Sequence, residues 1–200
     1  APNGVHRPLL TSVRPLLFFC PTTCSRSTVN LLNGTLPTEM GRLEKLTYLD
    51  LRKNRLKGKI PTEFGGLTAS NQIHIDINSL SGAIPMEMGR LKNLGNLALN
   101  DNVLDGKLPT EIGGMTGLTR LELNHNRLIG TIPTEMGQFK KMEILILEAN
   151  QLWKSATPSG LPTELAFLYN PPNNDKAFTY LPLLDPAPSP PPRPPPSPPP

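Results

Sequence analysis

The 200-residue chain has few aromatic residues, few cysteines and no strong excess of either charge. Aromatics make up 5% of it, with one Trp. Compact cores usually draw much of their buried area from aromatic rings, so aliphatic side chains must fill this one. Only two cysteines, Cys20 and Cys24, are present, which excludes a disulfide-dense scaffold. No apolar run approaches the roughly 18–20 residues that cross a bilayer. Leu16-Leu17-Phe18-Phe19 follows Arg7 and Arg14 in the order of a secretory leader, but the run is too short for one and prolines interrupt its approach. The net charge of +4 comes from 20 basic and 16 acidic residues. Along the chain, Lys and Arg are scattered among Asp and Glu. That pattern reads as solvated surface, not as a nucleic-acid face, where basic residues gather with aromatics between them.

Proline, by contrast, is abundant at 25 residues, 11 of them among the last 15. The tail from Pro186 to Pro200 contains Ser-Pro-Pro-Pro twice, at Ser189 and Ser197. Such a run forms an extended, solvated polyproline II rod. It reads first as a stiff spacer. It also resembles the Ser-Pro-rich segments of plant and algal wall glycoproteins, and a ligand for a proline-binding domain is a third reading. The start at Ala1 and the end at Pro200 lead us to expect a processed product or a fragment.

The middle of the chain repeats. Ile-Pro or Leu-Pro ends at Pro37, Pro61, Pro85, Pro109 and Pro133, in steps of 24 residues. An Asn precedes each Pro by seven residues, at Asn30, Asn54, Asn78, Asn102 and Asn126. In phase with these run Leu32, Leu56, Leu80, Leu104 and Leu128, then Gly34, Gly58, Gly82, Gly106 and Gly130. Glu39, Glu63, Glu87, Glu111 and Glu135 each follow a Pro by two. A fixed period over several independent positions is the signature of a solenoid. Within each unit, Leu49-Asp50-Leu51 and Leu97-Ala98-Leu99 alternate with the period of a strand. One short strand cannot bury its apolar side, whereas parallel strands stacked about 4.8 Å apart share one interior. The Asn sits where the chain leaves the strand. Its amide can bond backbone groups left unpaired by the turn and link neighbouring coils. Gly58 and its equivalents allow backbone angles closed to other residues. Pro suits the start of a short helical turn, and the Glu lies near that turn's positive end.

The pattern Leu-x-x-Leu-x-x-Leu-x-Leu-x-x-Asn-x-Leu-x-Gly-x-Ile-Pro, clean over Leu43–Pro61 and Leu91–Pro109, resembles the plant-type leucine-rich-repeat family. Its Pro-Thr-Glu variant looks like repeats of algae and other protists. The resemblance implies an α/β repeat solenoid, with a parallel sheet on the concave face and short helical or 3-10 turns on the convex face. We expect a cap segment at 1–29, a solenoid of about five full coils with partial end coils over 30–170, an extension over 171–185 and the tail at 186–200. Ser70 stands where a Leu belongs, and Met115 and Phe139 replace the first Leu of their coils. After Asn150 the Gly is replaced by Lys154, and an insertion delays the next Pro to Pro162. This reads as a worn last coil, with a binding loop around Trp153 as the alternative. Secreted members of the family carry an N-terminal cap with a cysteine pair and a Trp. Cys20 and Cys24 are the available pair, four apart and without the Trp, and a disulfide between them is expected on that resemblance. A metal site there lacks further ligands, His6 being the only near candidate.

The register exposes three positions per strand on the concave face: Tyr48, Asp50 and Arg52; Gln72, His74 and Asp76; Asn96, Ala98 and Asn100; Arg120, Glu122 and Asn124; and Ile144, Ile146 and Glu148. The next residue of each coil, Lys53, Ile77, Asp101, His125 or Ala149, is expected beside them. The resulting surface is mixed in sign, polar in the middle and apolar toward its C-terminal end. It suits a protein or peptide partner. His74 falls beside Asp50, an Asp–His pair that invites a general-base reading, but no Ser or Cys nucleophile is near. His125 with Glu122 lacks a third metal ligand. We therefore expect no catalysis, no metal, no cofactor and no nucleic-acid partner, and contact with a membrane only through parts outside this chain. Asn33-Gly34-Thr35 is a glycosylation sequon. The expected role is a binding module of a receptor-like or cell-surface protein, outside the cell. A wall or matrix protein anchored by the proline tail, and the sensor part of a receptor-like kinase, are the alternatives.

Overall fold

A computed structural model of the chain describes residues 24–26, 32–153 and 166–168. Cys20, the insertion after Lys154, the extension over 171–185 and the proline tail lie outside the described residues, so the cysteine pairing and the loop after Trp153 do too. In chain order the strands are β1 (Cys24–Arg26), β2 (Asn33–Thr35), β3 (Tyr48–Asp50), β4 (Arg55–Gly58), β5 (Gln72–His74), β6 (Ser79–Gly82) and β7 (Asn96–Ala98). They continue as β8 (Val103–Lys107), β9 (Arg120–Glu122), β10 (Arg127–Thr131), β11 (Ile144–Ile146), β12 (Gln151–Trp153) and β13 (Ala166–Leu168).

The odd-numbered strands form one seven-stranded sheet in chain order, and the even-numbered strands a second sheet of six. Every pairing is parallel, and in the first sheet Leu49 lies beside Ile73, Ile73 beside Leu97 and Leu97 beside Leu121. This is the expected solenoid with one addition. The repeat pattern predicts the concave sheet but not the second, lateral one. Arg55-Leu56-Lys57-Gly58 buries only Leu56 of its side chains, so it carries too little apolar alternation to read as a strand. The concave sheet also takes in β1, inside the stretch read as an N-terminal segment, with Cys24 beside Tyr48. That strand stands 24 residues before β3 but lacks its leucines.

On the convex side the chain makes 3-10 turns at Thr38–Arg42, Thr62–Gly66, Met86–Arg90, Thr110–Gly114 and Thr134–Gln138. The preceding proline is extended, with φ between −77 and −61°. It therefore caps the turn instead of opening it: its carbonyl accepts from the residue three on, as in Phe64 N–H to Pro61 O at 3.1 Å. Between sheets and turns runs one continuous aliphatic core, in which Leu49, Leu51, Leu97, Leu99, Leu121 and Leu123 are completely buried. Met115 and Phe139 join it in place of leucine. Ser70 is just as buried, and its hydroxyl donates to the Leu46 carbonyl of the previous coil at 2.6 Å. That bond offsets the cost of a hydroxyl inside a hydrocarbon core.

The asparagine column links the coils. Asn102 donates from Nδ2 to Ile75 O, 3.1 Å away in the previous coil, and to Leu99 O and Asn100 O in its own. Its Oδ1 accepts from Leu80 N–H at 2.9 Å. Asn78 and Asn126 repeat the arrangement.

Candidate functional site

The concave sheet is a grid, because alternate residues of each strand point inward and outward. Its outer rows are Tyr48, Gln72, Asn96, Arg120, Ile144, and Asp50, His74, Ala98, Glu122, Ile146. The pairing Asp50–His74–Ala98–Glu122–Ile146 follows directly from the strand register. A third row, Arg52, Asp76, Asn100, Asn124, Glu148, borders the corner.

The structure does not present all of these positions. Asp50 is fully buried, so it is not an exposed contact. Its Oδ1 accepts from Arg52 Nε at 2.9 Å and its Oδ2 from the Tyr48 hydroxyl at 3.1 Å. Burial alone would raise its pKa, but the bonds from Arg52 and Tyr48 outweigh that and hold it below the usual carboxylate range. Ala98, Asp76 and Asn124 are buried as well. Lys53, Ile77, Asp101, His125 and Ala149 are not on the strands. Each turns the corner in the left-handed region, with φ of 52–56°, and each is exposed. For Ile77, β-branched and 41% exposed, that conformation is costly. No sequence signal marks this corner, because residues as unlike as Lys, Ile, Asp, His and Ala occupy it.

Arg120 and Glu122 form an ion pair within β9. At the corner His125 Nδ1 lies 3.3 Å from Asp101 Oδ1 of the previous coil. The His74 and Tyr48 rings are tilted neighbours, with centroids 5.9 Å apart. Burial and the nearby Arg52 charge lower its pKa. Burial raises that of Asp76, which is only 8% exposed. At the C-terminal end Ile144, Ile146 and Glu148 are half-buried. Among the described residues no group of three His, Cys, Asp or Glu side chains converges in the manner of metal ligands.

One property separates this surface from the rest of the described molecule. Five buried side-chain polar atoms have no hydrogen-bond partner among the described residues: His74 Nε2, Asp76 Oδ1, Asn96 Oδ1, Asn100 Oδ1 and Asn124 Oδ1. All five belong to β5, β7, β9 or the residues leading from them into the corner. Each such group costs about 1–3 kcal/mol. Sequence patterning shows polar residues here but not that their partners are missing, since that depends on the packing of neighbouring coils.

A family model for the leucine rich repeat matches residues 45–67 and 117–139. The fold is similar to solved plant receptors. A TDR receptor is 29% identical, with a TM-score of 0.68, over 75% of this chain and 26% of its own. The plant peptide hormone receptor RGFR1 in complex with RGF2 is 30% identical, with a TM-score of 0.59, over 73% of this chain and 28% of its own. The complex of BIR3 and SERK2 from Arabidopsis thaliana is 31% identical, with a TM-score of 0.57, over 68% of this chain and 73% of that chain. The chain thus spans about a quarter of the two larger receptors. No curated protein matches it significantly.

Proposed function

Because the chain belongs to the plant-type leucine-rich-repeat family, we propose that its concave sheet binds an extended segment of a protein or peptide partner. The observation that carries this reading is the cluster of five unpartnered polar atoms on β5, β7, β9 and their exits. A polypeptide laid across the strands brings backbone N–H and C=O groups at short, regular intervals. Small rotations of the half-buried His74, Asn96 and Asn100 side chains would turn their free atoms toward it. The cost of leaving those atoms unpaired in the free protein then becomes affinity in the complex. Ile144 and Ile146 offer an apolar anchor at one end, and Tyr48 a ring at the other. The complex of the related peptide hormone receptor with its ligand favours the same class of partner. The receptor relatives and the Asn33 sequon, on the exposed strand β2, favour a place at the cell surface or outside the cell. Binding, not catalysis, is the activity in this reading.

Selection of extended peptides from a displayed library against the full chain tests it. Peptides recovered on the wild type should lose about tenfold or more in affinity on a His74→Leu, Asn96→Leu, Arg120→Ala variant, since each lost hydrogen bond is worth roughly 1 kcal/mol. Equal binding by that variant, with its fold intact by circular dichroism, would remove the concave sheet from the role.

A further inference from the structure

The lateral sheet carries a charge pattern that the linear sequence hides. Residues 32–153 contain 14 Lys or Arg and 13 Asp or Glu, close to balance. The outward residues of the lateral sheet do not share that balance. Arg55 and Lys57 stand on β4 and Lys59 follows it; Lys107 ends β8 and Arg127 starts β10. Against these five stands one acid, Asp105, beside Arg127 in the register. The other faces therefore hold nine basic and twelve acidic residues. Residues 32–153 are thus polarised, basic along one flank and with a small acidic excess over the other faces. Basic residues that look scattered in sequence are gathered here by the fold.

All five cations are exposed, and none has an ion-pair or side-chain hydrogen-bond partner among the described residues. Two lysines lie along the next coil. A Cβ at Gly82 would meet Lys59 Cγ at 2.9 Å, and one at Gly130 would meet Lys107 Cγ at 3.0 Å. The glycine column thus leaves room for the lysine stems to cross from coil to coil. Between the cations stand the side chains of Thr35, Ser79, Ser81 and Thr131. Outward side chains repeat about every 7 Å along a strand and about every 4.8 Å across strands, so the flank is a flat array of positive charge and hydroxyls.

We infer that this flank binds a linear acidic polysaccharide whose carboxylates meet Arg55, Lys57, Lys59, Lys107 and Arg127. The class of polyanion follows from what stands between the charges. Single-stranded nucleic acid is held by aromatic platforms on which bases stack, and β2, β4, β6, β8 and β10, among which the cations stand, contain no aromatic residue. Insertion into a lipid surface calls for large apolar groups such as Trp, Phe and Leu, and on β2, β4, β6, β8 and β10 Ile129 alone is a strongly exposed large apolar side chain. Serine and threonine hydroxyls between cations match a chain that presents both carboxylates and hydroxyls along its length. The site is separate from the concave sheet, and its occupancy does not depend on a peptide.

The experiment is affinity co-electrophoresis of the full chain through polygalacturonate, repeated in a fully methyl-esterified polymer. The wild type should be retarded by polygalacturonate at low salt, pass freely through the esterified polymer, and lose retardation as ionic strength rises, since screening weakens exposed charge contacts. Arg55→Glu, Lys57→Glu, Lys59→Glu together should weaken binding about tenfold or more. Reversal of Lys45 and Lys92, exposed basic residues away from the flank, should leave it within about twofold. Equal binding by the flank variant, equal retardation by the esterified polymer, or stronger binding to a single-stranded RNA or to anionic vesicles than to polygalacturonate would each overturn the assignment.

Discussion

At the residue scale, the asparagine column shows how one side chain holds three strands of backbone. Asn102 satisfies three carbonyls and one N–H, all from segments that a turn leaves without partners. It is 7% exposed, so water cannot take over these bonds. Replacing it with Ala removes four hydrogen bonds and strands buried backbone groups. We expect Asn102→Ala to lower unfolding free energy by about 2–4 kcal/mol, measured by urea denaturation. A loss below about 0.5 kcal/mol would show that the amide is replaceable by solvent. The sequence makes this role legible, because a polar residue in strict phase with leucines has to be satisfied somewhere. Asp50 is the opposite case. It shares its register with the exposed positions, yet Arg52 and Tyr48 fold over it. Its fate depended on which neighbours could reach it, and a period of 24 says nothing about that.

At the element scale, the 3-10 turns pack through a contact that leucine periodicity does not announce. A Cβ built on Gly89 would stand 2.1 Å from the Glu111 carbonyl oxygen of the next coil; at Gly41, Gly65 and Gly113 the corresponding distances are 2.0–2.4 Å. Those atoms are backbone and cannot swing aside. Gly89→Ala must therefore push neighbouring turns apart or unwind one of them. It should cost about 2–4 kcal/mol, at the upper end of single substitutions. Thermal unfolding checks this, with a cost below about 1 kcal/mol showing that the convex side is loosely packed. Gly106, by contrast, is needed for its backbone: its φ of 82° lies where a side chain is strained. Two columns of glycine thus serve different ends, and only the second was visible as part of the repeat. The lateral strands were equally hidden, because they bury a single leucine each and rely on the coil in front to bring their backbones into register.

For the molecule as a whole, stability accumulates coil by coil, since each contacts only its neighbours. Removing residues 91–114 deletes one full period and leaves the flanking positions in phase. The shortened chain should fold, with a urea m-value lower by roughly a fifth, as less surface is buried. Removing residues 91–102 instead sets strands against turns and should abolish cooperative unfolding. Circular dichroism and urea titration of both deletions separate the outcomes; two equally folded proteins would refute the phase argument. The same stacking sets side by side residues that are 24 apart in the chain, and both candidate surfaces arise from that operation.

The sequence by itself determined the solenoid, the strand positions on the concave face, the asparagine column and the glycine column that includes Gly106. Its 24-residue period forces equivalent residues onto one line, and leucines at strand spacing cannot be buried any other way. The tertiary structure alone decided that Asp50 is locked away while His74, Asp76 and three asparagines are left with unpaired atoms. It also decided that five basic residues meet on one flank. Pairing and charge segregation depend on distances between coils, and those exist only once the coils are stacked.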